Sequence, residues 1–188
     1  PAELQGVLLS HLHFDHAADM PVLGYYLQQR GVKMPIFVPE EDESPLRRIL
    51  ESSGVFEVQP YPEMLCLCGL EISVFPVRHP VPCRAIRIKD GEKTLVFTGD
   101  TNVCPGLAKF AENADVLMAD AAFLEAEWQE KLPHLSAKKA AELAVAAGAK
   151  RFYLTHLPVR HEAETMVKEA KEVYEQAQAV TPGMVIQL

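Results

Sequence analysis

Apolar positions along the chain fall into short runs whose spacing predicts alternating strands and helices. Gly6–Ser10 (GVLLS) is a continuous apolar run, the pattern of a buried strand. The polar stretch His11–His16 follows directly and is expected to form a loop at that strand's C-terminal end. Ala17–Arg30 carries helical spacing, with Gly31 as its stop. Pro35–Pro39 predicts a strand, and Ser44–Ser53 a helix opened by Ser44-Pro45 and closed at Gly54. Strands are expected at Val55–Val58, Leu70–Val77 and Arg84–Lys89, and the hairpin signal Asp90-Gly91 returns the chain through Thr94–Thr98. A short helix at Pro105–Glu112 and a strand at Val116–Ala119 come next. The alanine-rich segment Ser136–Ala147 reads as a helix, N-capped by Ser136 and closed by Gly148. A strand at Arg151–Thr155, a long amphipathic helix over Glu162–Gln178 and a strand at Gly183–Leu188 end the series. A central hairpin followed by β–α alternation places the chain in the α/β class, with a mixed sheet and outer helices. No repeat or linker interrupts it, so one domain over residues 1–188 is expected.

Composition narrows the class further. A chain of 188 residues that is 48% hydrophobic can bury a real core. No apolar run approaches the roughly 18 residues of a membrane span, and no signal-peptide leader opens the chain, so a cytoplasmic protein without a membrane partner is expected. Lys and Arg number 18 against 26 Asp and Glu, a formal charge of −8. That balance argues against a long nucleic acid as partner, since phosphate binders usually carry a basic face. Cys66, Cys68, Cys83 and Cys104 have neither zinc-knuckle spacing nor the density of a disulfide framework, and buried reduced thiols are expected.

The seven histidines change the picture, because three fall within six residues, in His11-Leu-His13-Phe-Asp15-His16. His11 and His13 lie two apart, so an extended backbone can point both the same way. Asp15 and His16 extend the set around the bend. Imidazoles with a carboxylate suit zinc, with iron or manganese as alternatives. Further candidates end other predicted strands: His79, Asp100 in Thr98-Gly99-Asp100-Thr101, and His156 after RFYLT. Sites on such sheets form where several strand ends converge.

This ordered series of motifs resembles the metallo-β-lactamase superfamily, and the likeness runs from Gly6 to about Arg160. The resemblance implies an αββα sandwich with two divalent metal ions at one edge. It implies that His11, His13 and His79 hold one ion, that Asp15, His16 and His156 hold the other, and that Asp100 bridges them. A bridging hydroxide would then be the nucleophile, since two ions about 4 Å apart acidify shared water. Such folds begin with several strands before the histidine loop, and about five strand residues precede it here. The chain is therefore expected to lack the first N-terminal strands of the fold.

Within the superfamily, the chain is similar to the subgroup of tRNase Z and related phosphodiesterases. That subgroup places a histidine before a helix start, where His134 stands, and an acid in the preceding strand, where Asp120 stands. The usual acid there is a glutamate followed by alanine and threonine, whereas this chain has Asp120-Ala121-Ala122. The resemblance makes Asp120 and His134 a proton relay, with Asp15 as the ligand that completes the catalytic set. It makes Arg160 a phosphate contact, although Pro158 replaces the subgroup's serine. His161 is expected to be a surface bystander at a helix start. Only one hairpin fits between His79 and Asp100, which excludes the long arm that grips tRNA. The expected activity is cleavage of a small anionic phosphodiester, with a homo-oligomer left open. The alternatives are a thioester, lactone or β-lactam hydrolase on the same site, or an iron-containing oxidoreductase. A glutamate usual at the position of His13 in the oxygen-reducing iron branch counts against the last. A non-catalytic scaffold would be missing ligands, and all seven are present.

Overall fold

Parallel pairing begins at the first apolar run. In the computed structural model, which describes residues 3–40 and 43–188, β1 (Val7–Leu8) pairs with β2 (Met34–Val38) and β2 with β3 (Phe56–Pro60). Pro1, at which the sequence opens, lies outside those residues. The crossover helices α2 (Met20–Arg30) and α3 (Pro45–Ser52) bury Leu27, Leu46 and Leu50 in one cluster with Ile36 and Val38. Gly31 ends α2 in the left-handed region, as its position predicts.

The second sheet has seven strands in the order β10-β9-β8-β7-β6-β5-β4. β4 (Leu65–Leu67), β5 (Leu70–Pro76), β6 (Arg84–Asp90) and β7 (Lys93–Phe97) form an antiparallel meander. β8 (Val116–Asp120), β9 (Phe152–Thr155) and β10 (Gln178–Ala179) extend it in parallel. α4 (Leu107–Phe110), α5 (Ala137–Ala147) and α6 (Ala163–Lys171) belong to this half. Five alanines of α5, at 137, 140, 141, 144 and 147, are buried in one core with Leu117, Phe152 and Leu154. Their small side chains let the helix approach the sheet closely. A parallel sheet and a mixed sheet, flanked by helices, make the expected αββα sandwich.

The two sheets are joined where their strands end. Arg84 N, on β6, donates to Ser10 O at 2.9 Å, just beyond the point where the Tyr61 hydroxyl, after β3, ties back to Leu9 O at 3.0 Å within the first half. Gly99 sits at this junction with φ 62°, and a Cβ there would lie 2.9 Å from both Arg84 O and Cys83 Sγ.

Several expectations are corrected. The second half of the histidine motif is not loop: Phe14–Ala17 form a one-turn helix, α1, that carries Asp15 and His16. α6 stops at Lys171 rather than Gln178, because Tyr174 leaves the helix to donate to Ala149 O at 2.9 Å and pack on Phe152. The chain then turns back in time for Gln178–Ala179 to pair with β9. Residues 183–188 form no strand: that edge is already taken, and a turn with Met184 N on Thr181 O diverts the chain. β4 was not anticipated, since it is only three residues long. Cys66 and Cys68 are exposed rather than buried, because they lie on the edge strand and its hairpin turn, whereas Cys83 is buried.

Gly99→Ala forces a side chain into both a left-handed backbone and a filled junction. It is expected to cost about 2–4 kcal/mol, read from the midpoint of urea unfolding.

Candidate metal centre

All the predicted ligands arrive at one end of the sandwich, carried by four strand ends and one helical turn. His11 and His13 leave β1, Asp15 and His16 follow on α1, and His79 leaves β5. Asp100 leaves β7 after Gly99, Asp120 is the last residue of β8, and His156 leaves β9. His134 stands two residues before the Ser136 cap of α5, whose hydroxyl accepts from Lys139 N.

The side chains form two groups that share one carboxylate. His11 Nε2 is 3.1 Å from His13 Nδ1, which is 3.3 Å from His79 Nε2. Asp15 Oδ2 is 3.4 Å from both His16 Nε2 and His156 Nε2. Asp100 Oδ2 lies between the groups, 3.5 Å from His11 Nε2, 3.2 Å from His16 Nε2 and 3.3 Å from His156 Nε2. One donor atom from each of His11, His13, His79 and Asp100 falls within a 4.8 Å cluster, and so does one from each of Asp15, His16 and His156.

The chemistry of these donors fits divalent cations. Imidazole nitrogens packed against one another gain little, because within a neutral pair only one ring can donate. His16 Nε2 and His156 Nδ1 are buried without a hydrogen-bond partner. Burial lowers the His11 pKa to about 3, so its ring is neutral and its lone pair free at neutral pH. Burial also lowers His79. Burial pushes the Asp100 carboxyl up, but His16, His156 and His11 outweigh it and hold it at about 2. His156 is raised to about 9, first by Asp120, against burial. The carboxylates thus draw onto His156 a positive charge that a bound cation would supply instead. Neighbouring groups orient the rings: His79 Nδ1 faces Pro133 O at 3.4 Å, and His11 Nδ1 faces Ser10 Oγ at 3.1 Å.

The expected relay pair is brought together. His134 Nδ1 lies 2.8 Å from Asp120 Oδ2, which also accepts from Thr101 N at 2.8 Å. Asp120 Oδ1 faces His156 Nδ1 at 3.6 Å, so one buried carboxylate stands behind both rings. Arg160 is placed differently from a free phosphate contact. Its Nη2 donates to Glu127 Oε2 at 3.1 Å and to Ala122 O at 3.0 Å, with the guanidinium 5.0 Å over the Phe123 ring. His161 is no bystander, since its Nε2 lies 2.9 Å from Glu127 Oε1, and α6 begins only at Ala163.

Three supporting residues escaped the sequence reading. Buried Asn102 donates from Nδ2 to Gln129 O, Glu130 O and Leu132 O, and its Oδ1 accepts from Val103 N and Trp128 Nε1. Trp128 Nε1 also donates to His134 O at 3.1 Å, so the pair fixes the loop that presents His134. A buried asparagine directly after Thr-Gly-Asp-Thr was the available signal for Asn102. Glu127, one of 26 acids, carried none.

These donors, on these strand ends, form a candidate metal centre. A family model for the beta-lactamase superfamily domain matches residues 1–157, and the chain belongs to the metallo-β-lactamase superfamily. The probable metallo-hydrolase YhfI of Bacillus subtilis is 31% identical over 182 residues, covering 93% of this chain and 75% of that protein. Its crystal structure superposes with a TM-score of 0.91 over 100% of this chain and 80% of that one. A ribonuclease Z of Archaeoglobus fulgidus is 34% identical over 122 residues, 63% of this chain and 40% of that protein. The short form of human tRNase Z shares the fold at 19% identity, with a TM-score of 0.77 over 99% of this chain and 80% of that one.

Asp100→Ala removes the one oxygen that faces both groups, and bound metal, measured by elemental analysis after dialysis, is expected to fall at both. Asn102→Ala strands buried carbonyls and the indole N–H, and is expected to cost about 1–3 kcal/mol in a denaturation curve.

Proposed function

We propose that the chain is a dinuclear metal hydrolase, zinc-dependent and cytoplasmic, that cleaves a small phosphodiester. The observation that carries this reading is the 2.8 Å contact between His134 and buried Asp120 beside the ligand groups. A thioester expels a thiolate, which leaves readily without a proton, whereas an alkoxide leaving a phosphorus centre must gain one. A histidine held by a carboxylate is a suitable donor near neutral pH.

In this reading His11, His13 and His79 hold one ion, Asp15, His16 and His156 the other, and Asp100 both. Ions bound there supply Lewis acidity and an acidified water as nucleophile. The protein's own groups do the rest. Asp120 fixes the tautomer and direction of His134, and His134 delivers the proton to the leaving oxygen. Arg160, at the rim with its charge shared by Glu127, assists in holding the anion. Two divalent ions against Asp15 and Asp100 leave a positive spot on an acidic chain, which selects an anionic ester. Similarity to a ribonuclease Z supports phosphodiester chemistry. The short β6–β7 hairpin, the only structure between His79 and Asp100 beyond loop, favours a small substrate over a long nucleic acid. Among the described residues no helix is long and apolar enough to cross a membrane.

Metal-loaded protein is expected to release nitrophenolate from bis(p-nitrophenyl) phosphate, and to stop when a chelator strips it or when Asp100 becomes Ala. His134→Ala is expected to cost about 10²–10⁴-fold on a diester with an alkoxide leaving group, and far less when nitrophenolate leaves unprotonated. Failure of the fully loaded protein on every phosphodiester, with thioester hydrolysis untouched by His134→Ala, overturns the proposal.

A further inference from the structure

The two ligand groups are not equally secured. The first group contains His11, whose side chain is fully buried, whereas in the second His16 is 17%, His156 27% and Asp15 65% exposed, and Asp100 belongs to both. His156 also has φ 55°, a left-handed conformation that costs a non-glycine residue free energy unless its surroundings enforce it. The loop that follows carries a cluster of polar contacts. Glu127 receives Arg160 Nε at 3.5 Å, Arg160 Nη2 at 3.1 Å and His161 Nε2 at 2.9 Å, and accepts from Leu124 N at 3.2 Å. Arg160 reaches onward to Ala122 O and the face of Phe123. One carboxylate therefore ties the segment after His156 to the segment after Asp120, the two stretches that frame the less buried half of the centre. Arg160 first, and His161 next, pull the Glu127 carboxyl down to about 2, so the tie is ionic across the working range of pH.

We propose that Glu127 is a positioning residue that sets occupancy of the second metal position, the one made by Asp15, His16 and His156, while leaving the first untouched. Glu127 is not itself a ligand. It holds the backbone of the 156–161 loop, and with it the direction of the His156 ring, as one clamp. The first position depends on buried His11 and on rings steadied by Ser10 and Pro133, none of which touches this loop. The proposal rests on the two-metal reading, and its test separates the two. Partners behind a ligand typically govern about 10–100-fold in metal affinity.

The experiment follows zinc release from the loaded full chain to a chromogenic chelator, together with equilibrium zinc titration. The native chain is expected to bind two ions and to release them in two phases. Glu127→Gln keeps the shape but not the charge, and is expected to weaken only the second ion, by about 10–100-fold, with the slow phase unchanged. Glu127→Asp should recover part of that loss. Arg160→Gln and His161→Gln, which each cut one arm, should give smaller losses confined to the same phase, and they carry the test if Glu127→Gln folds poorly. Equal weakening of both ions, or no change in either, overturns the role of Glu127 while the two-metal reading stands. A native chain that binds a single ion overturns that reading, and the proposal with it.

Discussion

Everything at this site depends on one buried carboxylate held among imidazoles from both halves of the sandwich. Asp100 can sit there only because Gly99 turns the chain in a left-handed conformation where no Cβ fits, at the junction of the two sheets. An anion this deep is costly unless cationic or hydrogen-bonded partners surround it. His156 is the cationic partner, and the ring nitrogens of His16 and His11 lie 3.2 and 3.5 Å away, each carried by a different strand end or helix. The sheets, the crossover helices and the alanine stripe of α5 are what hold those ends together.

The same constraint explains why the centre was so legible in the sequence. Ligands at strand ends announce themselves, because an apolar run predicts the strand and the next polar residue is then located in space. That rule places His11, Asp100 and His156, and His79 lies one residue further on, after Arg78. Asp15 and His16 were assigned correctly to the end of β1 but to the wrong backbone, since a single helical turn has too few residues for its period to show. The misjudged C-terminal region has a related cause. The pattern over Glu162–Gln178 is helical throughout, and only the tertiary docking of Tyr174 on Phe152 and Ala149 ends the helix early.

The residues that sequence could not supply are those that act on other side chains. Asn102, Trp128 and Glu127 touch no proposed ligand atom. They bind carbonyls, an indole, a guanidinium and an imidazole that bring the ligands and His134 into register. Nothing in spacing distinguishes such residues from surface polar ones, because their partners are 25 or more positions away along the chain or belong to an irregular loop. The Asp120 and His134 pair marks the boundary of what could be read. A family likeness nominated both, and only coordinates could show that the shorter acid still reaches the ring.

One feature of that loop makes the molecule its own instrument. Trp128 is the chain's single tryptophan, and its indole N–H is shared between Asn102 Oδ1 and the carbonyl of His134. Tryptophan emission from this protein, excited at wavelengths its five tyrosines do not absorb, therefore originates beside the candidate acid. A shift in its wavelength or lifetime is a label-free optical record of how the loop around the indole sits as ligands come and go.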